Sequence, residues 1–190
     1  MNSVVNRRRV YNEPDTIKLP NGYKVAKYFD CKSDVMVSKI VQIPRTAEAL
    51  IEPDITKYSR VMFGRAGNFA VGNHEKKVWS SVGNSTASYF AEATPAVLKV
   101  YHNSNNSCKV YVDGVDVGLS GTTAHSNLGI FGVSSGYEQG FYGKVYWVKI
   151  YKNGAVIHHI IPCKKGDISA AFDLITNSFV TPTSGSFHVV

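Results

Sequence analysis

Two carboxylates stand one residue apart in Glu52-Pro53-Asp54-Ile55-Thr56-Lys57. A strand reading Glu-x-Asp-x-x-Glu presents carboxylates on one face, as the acid and nucleophile of glycoside hydrolysis require. Here Lys57 stands in the closing carboxylate position, and Pro53 would interrupt a central strand. The string therefore reads as a turn. No other pair of acids falls on one face of an expected strand, so no catalytic residue is expected. Gly132-Val133-Ser134-Ser135-Gly136 comes near a serine nucleophile elbow but is read as none. No Walker or dinucleotide fingerprint occurs. His158 and His159 are neighbours in an expected strand and point to opposite faces, so they cannot jointly hold a metal. His74, His102, His125 and His188 are isolated.

The elements around these residues are strands. Gly143 to Tyr151 alternates over eight residues, as a strand with two different faces must. Asn153-Gly154 then supplies two residues that tolerate positive φ, as a type I′ hairpin turn requires, and a β-rich run returns from Ala155. Asp113-Gly114 makes a second such turn. Expected strands are 23–29, 35–42, 58–64, 67–72, 76–82, 96–102, 108–113, 115–118, 127–133, 143–152, 155–161, 171–175 and 186–190, with a short helix over Thr46–Leu50. So many short strands predict a two-sheet antiparallel sandwich of class all-β. Alternation puts Tyr146, Val148 and Ile150 on one face of strand 143–152. Val145, Trp147, Lys149 and Tyr151 take the other, outward one. Trp147 and Tyr151 are candidate partner contacts there, unless a loop covers them.

The 190 residues suffice for one domain with its own core. Lys and Arg number 21 against 14 Asp and Glu, a net charge of +7. Three of these charges are Arg7, Arg8 and Arg9, in a basic arm over residues 1–18 that precedes the domain at 19–190. Guanidinium forks suit carboxylate pairs, so the arm predicts an acidic protein surface as partner. The remaining charges are scattered, unlike the basic stripe of a nucleic-acid binder. No long apolar run predicts a membrane span, and the first residues lack the apolar segment of a secretory signal. Three cysteines without metal spacing, Cys31, Cys108 and Cys163, predict buried thiols in a reducing compartment.

Several motifs in order resemble a known family. They are Leu19-Pro20-Asn21-Gly22-Tyr23 followed by Lys27-Tyr28-Phe29, then Phe63-Gly64-Arg65, then Val110-Tyr111-Val112-Asp113-Gly114. The hairpin, Ile161-Pro162-Cys163-Lys164, Asp173-Leu174, Phe179 and Gly185-Ser186-Phe187 follow. Residues 19 to 188 thus resemble laminin-G-like, concanavalin-A-like jelly-roll domains of tailed bacteriophages and gut bacteria. The chain departs from that pattern at Asp30-Cys31-Lys32-Ser33, where the family shows a Gly-rich turn. The resemblance implies a jelly-roll sandwich, and carbohydrate binding as its commonest activity. A sugar platform would use Trp79 and Tyr137 with Asn84. Tyr89, Phe90 and Phe141 with Asn73 and Gln139 form the wider set, and all of these rings suit core packing as well. The resemblance also suggests calcium at Asp113 and Asp116, which read better as turn residues, and no cofactor is expected.

The function expected on these grounds is that of a non-enzymatic virion structural protein. It would decorate a phage capsid through contacts with other virion proteins or its own copies, after assembly in the bacterial cytoplasm. The alternative is a lectin-like module that binds host or mucus glycans.

Overall fold

The computed structural model describes residues 17–32, 35–58, 60–65, 69–81, 83–103, 107–122, 127–132 and 140–190. A 3₁₀ turn at Pro20–Gly22 opens it, and strands follow. They are β1 (Lys24–Val25), β2 (Phe29–Lys32), β3 (Val35–Ile40), β4 (Arg45–Pro53), β5 (Arg60–Arg65), β6 (Phe69–His74), β7 (Lys77–Ser80), β8 (Gly83–Ser88) and β9 (Ala96–His102). The rest are β10 (Ser107–Val112), β11 (Val115–Thr122), β12 (Asn127–Ile130), β13 (Tyr142–Lys152), β14 (Ala155–Lys165), β15 (Ile168–Asp173), β16 (Ser178–Val180) and β17 (Ser184–Gly185).

Two antiparallel sheets result. The ten-stranded sheet runs β11-β10-β9-β4-β13-β14-β15-β16, with β1 on β14 and β2 on β13. The seven-stranded sheet runs β17-β3-β12-β5-β6-β7-β8. Between them lies one core, in which Phe29, Phe63, Phe131, Phe141, Ile51 and Leu98 are fully buried. Both expected hairpin turns form, with positive φ at Asp113 and Gly114 and at Asn153 and Gly154. The fold is an all-β, jelly-roll-like sandwich, as the strand pattern predicts.

Three local expectations are corrected. Thr46–Leu50 is not helical but the middle of β4. Ala47, Ala49 and Ile51 alternate into the core, and β9 and β13 take up both hydrogen-bonding edges of the strand. That pairing overrides the helix preference of its Ala, Glu and Leu residues. The expected strand at 155–161 continues to Lys165, through Pro162. The expected strand at 186–190 reduces to an isolated bridge between Phe29 and Val189.

A second apolar cluster sits on the outer face of the ten-stranded sheet. Ile160 and Ala171 face the core, so their neighbours Ile161 and Phe172 face outward. These two and Cys163 are covered by Ile17, Leu19, Tyr23, Val25 and Trp147. Ile17, placed by the sequence reading in the arm, thus packs with the domain. Arg7, Arg8 and Arg9 lie outside the described residues. Cys31, Cys108 and Cys163 are buried.

Candidate functional site

A β-bulge builds the face that carries the most chemistry. The register of β13 against β4 shifts between Val145 and Trp147. Val145 and Val148 are both fully buried, so Tyr146 and Trp147 between them point outward together. Strict alternation had put Tyr146 inside and Val145 outside, and the extra residue reverses both. Trp147, Lys149 and Tyr151 keep the outward direction expected of them.

On β4 the outward residues are Thr46, Glu48, Leu50 and Glu52. The pairing of β9, β4 and β13 sets them in rows. Tyr101, Thr46 and Tyr151 form one, Lys99, Glu48 and Lys149 the next, and Val97, Leu50 and Trp147 the third. On the far side β10 adds Lys109 opposite Tyr101 and Tyr111 opposite Lys99. Two lysines lie over rings: Lys149 Nζ is 4.8 Å from the Trp147 centroid and Lys99 Nζ is 6.0 Å from that of Tyr111.

Both glutamates of β4 are held by tyrosine. The Tyr151 hydroxyl donates to Glu48. The Tyr146 hydroxyl donates to Glu52 Oε2 at 2.9 Å, and Lys144 Nζ donates to Oε1 at 2.6 Å. Burial and these bonds to carboxylates push both tyrosine hydroxyls above their ordinary range, so they remain neutral donors. On the neighbouring strand His159 is pushed down to about 4, chiefly by burial and also by Lys149. His158 faces the other way, with Nδ1 2.6 Å from Oδ2 of fully buried Asp173. The adjacent histidines therefore do diverge.

Clefts mark both ends of this face. One, of about 160 Å³, lies between Tyr101 and Tyr151 with Thr46 and Asn153 in its wall. The other, of about 520 Å³, opens at the start of β13 between Asp30, Glu52, Asp54, Lys57, Tyr142 and Lys144. Its charges are largely matched internally. Asp54 Oδ1 accepts from the Thr56 hydroxyl (2.6 Å) and backbone N–H (3.0 Å), which hold it below the usual carboxylate range. Arg60 and Lys57 lie over the Tyr142 ring at 4.7 and 5.4 Å.

Glu48 and Glu52 correct the expectation that no two acids share a strand face. Four residues apart on one strand, they are separated by roughly 13 Å. Carboxyl pairs that cleave glycosides stand about 5–9.5 Å apart. A second correction concerns the serine elbow. Gly132-Val133-Ser134-Ser135-Gly136 matches Gly-x-Ser-x-Gly letter for letter. That elbow belongs to a strand-turn-helix in an α/β sheet, and this fold is an all-β sandwich. Residues 133–139 lie outside the described residues.

The sugar platform expected from sequence is only partly brought together. Trp79 is half-buried on the outer face of the seven-stranded sheet, against Val61 and Ala70. The register sets Asn84 directly opposite it. The Asn84 side chain, Tyr137 and Gln139 lie outside what is described. Phe90 and Phe141 are core residues at 3% and 0% exposure, and Tyr89 packs against the same core. Asn73 is also buried, donating to the carbonyls of Asp54 and Glu75. Phe90, Phe141 and Asn73 fill space or hold a turn and offer no sugar a surface. Trp79 and Trp147 sit on opposite outer faces of the sandwich and cannot share one site. Asp116 accepts the backbone N–H of Gly118 at 2.9 Å, as a turn residue does, and Asp113 accepts that of Val97 on β9 at 2.9 Å. Among the described residues no cluster of three His, Cys, Asp or Glu is placed to hold a metal.

The solved structures contain a similar fold. A Bacteroides ovatus protein described as carbohydrate-binding matches with a TM-score of 0.60 over 87% of this chain, at 10% sequence identity. The likeness is one of fold. This chain spans 60% of that protein's chain. No family model matches the sequence, and no curated protein matches it at a significant level.

Sequence reasoning missed Tyr101, Lys99, Glu48 and the bulge. The alternation in Arg45-Thr-Ala-Glu-Ala-Leu-Ile-Glu52 was the available signal, and read with period two it finds β4.

Proposed function

We propose that this domain binds a glycan without cleaving it, on the outer face of the ten-stranded sheet. The observation that carries the reading is the grouping of Tyr101, Tyr111, Trp147 and Tyr151 on neighbouring strands, with lysines and a glutamate between them. Aromatic rings offer flat apolar surfaces to the C–H faces of sugars, while the Tyr and Lys hydrogens and the Glu48 carboxylate suit hydroxyl groups. The rings are held on strands, and a rigid platform lowers the ordering cost of binding. Glu48 and Glu52, roughly 13 Å apart along β4, are too far apart to act as a hydrolytic pair, which supports a binding role. The structural neighbour adds support at the level of fold.

A surface protein of a phage particle that captures host or mucus glycans is compatible with this reading. Its attachment would fall to the basic arm. The test is titration of the protein with a panel of plant, microbial and mucin oligosaccharides. Binding should be lost or weakened about tenfold in Trp147→Ala and Tyr101→Ala, the loss of one stacked ring being worth about 1–1.5 kcal/mol. Trp79→Ala should bind as the parent does. Absence of binding across the panel at millimolar concentrations, or loss in Trp79→Ala alone, would overturn the proposal.

A further inference from the structure

We infer that the glycan taken by this face is acidic, with its carboxylate or sulfate groups received by Lys99 and Lys149. The inference rests on the reading that the face binds a glycan, and adds the charge of the ligand.

The charges on the face do not balance. Around the rings Lys99, Lys109 and Lys149 stand against Glu48 and Asp116, while Glu52 is taken by Lys144 at 2.6 Å. Glu48 lies between Lys99 and Lys149 in its row and is already engaged by the Tyr151 hydroxyl. One carboxylate thus faces two ammonium groups. Lys109 and Asp116 are 3.7 Å apart with both side chains exposed, a pair that solvent screens.

The two central lysines are also held in place. Each lies over a ring, Lys149 over Trp147 and Lys99 over Tyr111. Such stacking holds the aliphatic stem against the sheet and leaves ammonium hydrogens for an incoming anion. The lysines and rings alternate, so a bound chain would meet a stacking surface and a cation at neighbouring positions. A polymer of acidic sugars presents both partners. A phosphate backbone also carries anions and rings, but it lacks the density of hydroxyl groups from which Glu48 can accept. These features favour the acidic glycan over nucleic acid.

The experiment is calorimetric titration of the full chain with oligogalacturonate, alginate oligomers and chondroitin sulfate, and with methyl-esterified oligogalacturonate as the uncharged counterpart. Single-stranded DNA serves as the competing polyanion. At least one acidic glycan should bind about tenfold or more tightly than the ester, with an affinity that falls as salt rises. The double variant Lys99→Gln/Lys149→Gln should lose that advantage and retain any binding of the ester. Lys76→Gln/Lys77→Gln, on exposed residues at the β6–β7 turn, should behave as the parent. Equal binding of acid and ester, or of neutral oligosaccharides alone, would overturn the inference and leave the glycan reading standing. DNA binding tighter than every acidic glycan would overturn it in favour of nucleic acid. Failure to bind any glycan, charged or neutral, would overturn both readings.

Discussion

The ammonium group of Lys149 lies 4.8 Å from the centre of the Trp147 ring, two residues away along β13. The same indole also packs against Ile161, Cys163 and Phe172, so one side chain joins the outer apolar cluster to the charged face.

That double duty separates two variants. Trp147→Ala removes packing from a half-buried site and should cost about 2–3 kcal/mol, near the low end for large-to-small changes. Lys149→Gln removes only a partly exposed cation–π contact and should cost under about 1 kcal/mol. Urea unfolding midpoints of the two variants measure the difference, and comparable losses would contradict this division of roles.

Gly72 admits no side chain. A Cβ there would collide with the Arg60 carbonyl oxygen and lie 2.9 Å from Val61 Cα, both backbone. Gly72→Ala must therefore move β5 against β6 and should destabilise by more than about 3 kcal/mol, or yield no folded protein. A circular dichroism melt like the parent's would contradict the packing described.

Stability should fall on mild acidification. Burial, and next to it Arg45, press His102 down to about 3, and His159 is near 4, against about 6.5 when unfolded. Between these values the unfolded chain holds more protons, so stability declines as pH drops from about 6.5 to about 4. Asp173 adds a loss at lower pH. Burial would raise its pKa, but bonds from His158 and from the backbone N–H of His159 and Ile175 outweigh that and hold it well below the carboxylate range. Its contribution is present above about pH 4 and disappears below it. Urea midpoints at pH 7, 5.5 and 4 should decrease in that order, and the decrease should be shallower in His159→Gln. A flat profile would contradict the burial of both imidazoles.

Glu52→Gln removes the charge that holds Lys144 and Tyr146 at the mouth of the larger cleft. It should cost about 1–3 kcal/mol, in the range of a partly buried charged hydrogen bond. Glycan turnover should be absent in both parent and variant. Product release from a glucan or galactan panel that disappears in Glu52→Gln would show the carboxylate to be catalytic.

What the sequence revealed and what it hid follow from the range of the forces involved. Asn153-Gly154 and Asp113-Gly114 set their turns through two residues each, so both hairpins were legible. The outward side of Trp147, Lys149 and Tyr151 was equally local. Thr46–Leu50 misled because its Ala, Glu and Leu favour helix, while its strand conformation depends on partners about fifty and a hundred residues away. The same distance hid the face itself, since Tyr101 and Tyr151 become neighbours only through β4. Phe90, Phe141 and Asn73 read as site candidates because composition does not distinguish a ring in a core from one on a platform.

The bulge at Tyr146 has a consequence for how this strand tolerates change in length. In a regular strand, losing one residue inverts every side chain on one flank relative to the other. Here Val145 and Val148 both face inward across two residues. Deleting Tyr146 would therefore restore plain alternation and leave both flanks in phase, with Trp147, Lys149 and Tyr151 still outward. The deletion forfeits the bond to Glu52 but not the topology. Strand β13, at the centre of the larger sheet, can shorten by one residue at this single point.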